Sequence, residues 1–153
     1  MSDDNPFWDY SLRLYPHIET WCLQQQARGC NVNLLLLCCF VGSRGVVLSD
    51  DQLTHAKTCI EPWDTKVVVP LRTLRQALKA RPLNGDSEAV RQAIAKAELL
   101  AEQQVQKQLY DWWRKESGTI NATPEQAISD NLMLAGAEQI TDFIVQQSTQ
   151  SQS

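Results

Sequence analysis

NVNLLLLCCF, residues 31–40, is the most apolar window of the chain, and its reading decides the fold. A membrane-spanning helix needs about 20 mostly apolar residues. Only 15 uncharged residues separate Arg28 from Arg44, and Gly29, Asn31, Asn33, Gly42 and Ser43 are among them. The segment is too short to span. A buried strand has a suitable length, because periodicity cannot separate strand from helix in so short an apolar run. Composition decides between them: four of the ten residues are Leu, β-branched residues are scarce, and Asn31 and Gly42 supply a start and a stop. The segment reads as a helix apolar on every side, the buried centre of a bundle.

Working outward, helix punctuation recurs along the chain. Asn5 before Pro6 is an N-cap with proline at the first helical position, opening an aromatic helix through Tyr15. Pro16 then restarts the chain as a second helix that stops at Gly29. Leu48-Ser49-Asp50-Asp51-Gln52-Leu53 reads as a capping box with a hydrophobic staple, followed by a helix burying Leu53, Ala56 and Ile60. Val67, Leu71, Leu74 and Leu78 form one helical stripe interrupted by Pro70, where the helix either begins, with residues 67–69 extended before it, or is kinked, the reading favoured by the stripe. Residues 81–86, RPLNGD, read as a loop.

Beyond that loop, Val90, Ile94, Ala97, Ala101, Val105, Leu109 and Trp112 mark the face of a long helix ending near Ser117 and Gly118. Thr123-Pro124-Glu125-Gln126 caps a last helix that carries Ile128, Leu132, Ala135, Phe143 and Ile144. The expectation is an all-α single domain over residues 1–147, a bundle or array of about seven helices around residues 31–42. Residues 148–153, STQSQS, read as a disordered polar tail.

Composition limits the function classes. The chain has 153 residues, 43% hydrophobic and 21% charged, enough for one ordinary core. Residues 1–65 carry eight acids and four bases, residues 66–81 five bases and no acid, and residues 82–153 ten acids and five bases. An acidic body with one basic strip disfavours nucleic acid, whose binding rests on phosphate neutralisation. Five cysteines, Cys22, Cys30, Cys38, Cys39 and Cys59, lie in otherwise apolar helical contexts without a CxxC pair. With an acidic MSDDNPFWDY start that lacks a signal-peptide pattern, they predict reduced thiols and a cytoplasmic location.

Chemistry is sparse. His55 and Cys59 stand one turn apart, a spacing two metal ligands can share, but His17 is the only other histidine, so no metal is expected. Asp50-Asp51 followed by Thr54 is similar to the aspartate-rich helices that hold magnesium and diphosphate in isoprenoid synthases. The second such motif is missing, and helix capping accounts for the pair. No phosphate loop or nucleophile elbow occurs, and neither a catalytic residue nor a cofactor is expected.

What remains is a set of candidate binding or buried polar groups. Asn33 falls in the first turn of the apolar helix, where a buried amide must find partners. Arg72, Arg75 and Lys79 follow the Leu71, Leu74 and Leu78 stripe, and either arginine could pair with Glu98 on the long helix. Trp8, Trp21, Trp63, Trp112 and Trp113 are many for this length, and an exposed one would mark a partner site.

NPFW at 5–8 with Ser11 and Tyr15, CL at 22–23 before Gln25 and Gln26, GCNVNLLL at 29–36, VVPLR at 68–72 and KAELLAE at 96–102 form a specific set. Together they resemble a family of uncharacterised proteobacterial helical proteins catalogued as a domain of unknown function. The resemblance runs over about residues 5–115, implies a bacterial cytoplasmic setting, and carries over no catalytic residue. The sequence leads first to a non-catalytic interaction or regulatory protein that grips an acidic or amphipathic protein partner through its aromatic surface and basic strip. Its alternative is a helical-bundle enzyme or small-molecule binder with a pocket near Asn33, Arg72 and Glu98. A closed core with exposed Trp would favour the first, and a deep pocket lined by those polar groups the second.

Overall fold

A computed structural model describes residues 5–80, 87–116 and 120–152. Seven α-helices follow one another: α1 Pro6–Ala27, α2 Val32–Gly42, α3 Asp50–Trp63, α4 Val69–Ala80, α5 Ser87–Lys115, α6 Pro124–Leu134 and α7 Asp142–Gln150. The fold is all-α, with no strand among the described residues. One π-helical turn, Asp64–Val68, joins α3 to α4 without a break, so the described chain forms six separate helical rods where about seven were expected.

The apolar helix is central. α2 packs against α1, α5, α6 and α7, and every residue from Asn33 to Gly42 is buried. Such a helix needs its backbone ends satisfied. The Asn31 side chain accepts from the Leu34 amide at 3.2 Å. At the other end the chain turns at Gly45 (φ +78°), where the Val46 amide bonds back to the Val41 carbonyl at 3.2 Å. Gly42, expected to be that stop, is helical and serves close approach instead: a Cβ there would lie 2.8 Å from the backbone of Ile128 on α6.

Phe40 gathers the aromatic core, its ring centroid 5.1 Å from Phe7, 5.5 Å from Tyr10 and 6.3 Å from Tyr110. Asn131 on α6 is fully buried and binds three backbone groups, accepting from the Leu48 amide at 2.7 Å and donating to the Val46 and Cys38 carbonyls at 2.9 and 3.2 Å. One side chain thereby fastens the α2–α3 loop to the core.

Other expectations needed revision. The break expected at Pro16 falls two residues later: α1 is two helical stretches joined across a kink at Ile18 (φ −127°, ψ 16°). Pro70 is absorbed differently: the residues before it shift into a π turn, and the Val69 amide reaches the Asp64 carbonyl five residues back. Of the expected α4 stripe, Leu74 is exposed and no residue of α4 is fully buried. Leu53 is only half-buried, and Val90 on α5 is exposed.

The final helix is two helices, broken at Gly136 (φ +84°), where the Ala137 amide bonds to the Leu132 carbonyl at 3.0 Å. Residues 148–152 differ from the expected disordered tail. Ser148 is fully buried in the last turn of α7 with its carbonyl accepting from Tyr10 Oη at 2.7 Å, and Arg13 Nε donates to the Ser151 carbonyl at 2.9 Å. The tail's composition is polar, but α1 supplies donors for its carbonyls. The 81–86 loop, the helix end near Ser117 and Gly118, the first four residues and Ser153 lie outside the described residues.

Candidate functional site

The α4–α5 contact is ionic where α2 is apolar. Arg75 Nε donates to Glu98 Oε1 in a short contact, and its Nη2 donates to Oε2 at 3.4 Å. Arg72 lies 3.5 Å from the same carboxylate and donates through Nη2 to Glu102 Oε1 at 3.2 Å. Glu98 is buried, so its charge needs these guanidinium groups. The pairing with Glu98 raises the proton affinity of Arg75 despite partial burial. Of the candidate residues, the structure brings Arg72, Arg75 and Glu98 together. Lys79 stands exposed, with no ion pair among the described residues. Trp63 is half-buried and donates its indole hydrogen to the Ala101 carbonyl at 3.0 Å, fixing the end of α3 to α5. None of the five tryptophans is fully exposed.

Glu98, Glu102 and Gln106 recur every fourth residue, a polar row beside the Ala101, Val105 and Leu109 stripe. The row runs from the ion pairs to Asn33. Asn33 is buried at the second position of α2 and accepts from Gln106 Nε2 at 3.0 Å. Ser11, buried on α1 between Phe7 and Leu14, belongs to the same polar layer.

Ser11, Asn33, Glu102 and Gln106 line a hollow of about 210 Å³ between α1, α2 and α5, together with Trp8, Leu12, Tyr15, Leu36 and Leu99; of the expected pocket residues Asn33 lines it, and Arg72 and Glu98 do not. Two of its polar atoms, Ser11 Oγ and Gln106 Oε1, are buried without a hydrogen-bond partner. Glu102, on its wall, has its carboxyl raised above the ordinary range by burial and by Glu98, against the opposing pull of Arg72. Burial first, then neighbouring negative groups, push the Tyr15 phenol up to about 12, so it stays a neutral hydroxyl at physiological pH. The arrangement can recognise a ligand through hydrogen bonds and apolar contact.

Reasoning from sequence found Asn33 and Glu98 but missed Ser11, Gln106 and the π turn. The four-residue row, extended one step, would have reached Gln106. Ser11 carried a weaker signal, a polar residue in the buried Phe7, Ser11, Leu14, Ile18 series of α1. His55 and Cys59 both stand on exposed positions of α3, and Cys30 is only half-buried. Among the described residues no three His, Cys, Asp or Glu side chains gather as metal ligands, and no helix is long and apolar enough to cross a membrane.

The chain belongs to the family described as protein of unknown function (DUF2390), whose model matches residues 6–109 and so takes in Ser11, Asn33, the Arg72–Glu102 cluster and Gln106. No curated protein and no solved structure matches it.

Proposed function

We propose that this member of the family binds a small molecule in the hollow between α1, α2 and α5. The observation that carries this reading is the pair of unpartnered oxygens, Ser11 Oγ and Gln106 Oε1, in the wall of one hollow. A buried polar atom without a partner costs about 1–3 kcal/mol, and a ligand that bonds to it recovers that cost on binding. Both atoms are shielded from solvent, so a ligand reaches them only as the walls of the hollow give way. The outer walls, Leu12 and Leu99, are more than half exposed and free to yield to an incoming ligand.

The alternative, a non-catalytic protein that grips an acidic partner with Arg72, Arg75 and Lys79, has less support, because Glu98 and Glu102 already engage both arginines. A reducing, cytoplasmic setting accords with the five free cysteines, three of them buried.

Ligand-observed NMR with a fragment library tests the proposal, run on the wild-type chain and on Leu99→Trp, which crowds the mouth from an exposed position. The expected result is a set of fragments whose binding is lost in Leu99→Trp while the melting temperature holds. Fragments that bind both proteins equally, or no binding fragments at all, would contradict it.

A further inference from the structure

Resting on that reading, we infer that the hollow takes a small, neutral molecule that presents N–H donors on a flat apolar body, the chemistry of a primary carboxamide or an amino-heterocycle. Three observations lead there.

The first is charge. Two guanidinium groups, Arg72 and Arg75, meet two carboxylates, Glu98 and Glu102, so the cluster has no net charge left to hold an ion. An ionic ligand would enter a partly dehydrated site and find each opposite charge already engaged.

The second is hydrogen-bond polarity. Gln106 donates one Nε2 hydrogen to Asn33 Oδ1, and this orientation leaves Oε1 as an acceptor. Glu102 receives Arg72 on Oε1 and adds further acceptor capacity on the same wall. Of the buried polar atoms in the hollow, the two without partners are both oxygens. Gln106 Oε1 can only accept and the Ser11 hydroxyl can accept as well as donate, so a ligand N–H satisfies either.

The third is shape. Trp8 and Tyr15 supply aromatic wall, and Leu36 apolar floor. A cavity of about 150 Å³ holds benzene. The hollow, at about 210 Å³, has room for one ring with a small head group.

Four probes that share a phenyl ring separate these points by isothermal titration: benzamide, acetophenone, benzoate and benzylammonium. Benzamide is expected to bind the full chain, and acetophenone, which accepts but cannot donate, at least about tenfold more weakly. Benzoate and benzylammonium are expected to be weaker than benzamide by a similar factor. Ser11→Ala removes a hydroxyl that has no protein partner, so it should weaken benzamide severalfold without lowering the melting temperature. Glu102→Gln leaves the cluster with one excess positive charge and should shift preference toward benzoate.

Acetophenone, benzoate or benzylammonium binding as tightly as benzamide would overturn the ligand class while leaving the hollow a binding site. Failure of all four probes to bind, or binding that Leu99→Trp does not disturb, would overturn the site itself and the inference with it.

Discussion

α2 and α4 are helices of similar length held in opposite ways. From Asn33 to Gly42 α2 is buried, and it meets four other helices; α4 has no fully buried residue and lies mainly along α5. The first is held by removal of apolar area from water, which is non-directional and tolerates no charge. The second is held by Leu71 and Leu78 at partial burial and by the Arg72 and Arg75 contacts with Glu98 and Glu102. The candidate site lies where the two regimes meet, with Asn33 from the apolar helix and Glu102 from the ionic contact. A hollow there can offer apolar walls and hydrogen-bonding groups together.

The largest test of this contrast is Leu37→Asp. Leu37 is fully buried in α2, and an unpaired charge there costs several kcal/mol of a total stability of about 5 to 15 kcal/mol. The variant is expected to be unfolded by circular dichroism; a native melting curve would show that α2 is not the centre.

Next comes Gly42→Ala. Its Cβ would press on the Ile128 backbone at 2.8 Å, so α2 and α6 must separate, at about 1 to 3 kcal/mol in urea denaturation. An unchanged midpoint would mean that this approach is not tight.

On the α4 side the effects are graded. Arg75→Ala removes the closest partner of buried Glu98, and the expected loss is about 2 to 3 kcal/mol, because Arg72 still faces that carboxylate. Arg72→Ala should cost less than Arg75→Ala, since Glu98 keeps its closer partner. Lys79→Ala, at an exposed position, should change stability by no more than about 0.5 kcal/mol. Equal losses for all three in thermal denaturation would remove the distinction between paired and free positions.

The apolar half was more legible in the sequence than the ionic one. Residues 31–40 identify themselves by length and composition, and the caps at Asn5, Asn31, Ser49 and Thr123 all accept the amide hydrogens their patterns predict. These are local rules, written within four residues. What stayed hidden depends on distant partners. Pro16 marks the break two residues early, because the pattern cannot show that the chain at the proline stays helical and the kink falls at Ile18. Residues 148–151 looked disordered because Tyr10 and Arg13, which bind their carbonyls, are 138 residues away.

The site was legible in the same proportion. Asn33 and the Arg–Glu pairing were found from pattern, since charge and amides in an apolar context call for partners. Ser11 and Gln106 were not, because a small polar residue has meaning only once its neighbours across α1 and α5 are known.

The most direct measurement of the two-regime account is hydrogen exchange followed by mass spectrometry, on α2 and α4 in the same sample at low salt and at 1 M sodium chloride. Amides of 35–42 are expected to exchange only with global unfolding and to ignore salt. Those of 71–80 should exchange through a cheaper local opening that salt accelerates, since screening shortens to about 3 Å at 1 M. Exchange in α4 as slow as in α2, or unmoved by salt, would contradict it.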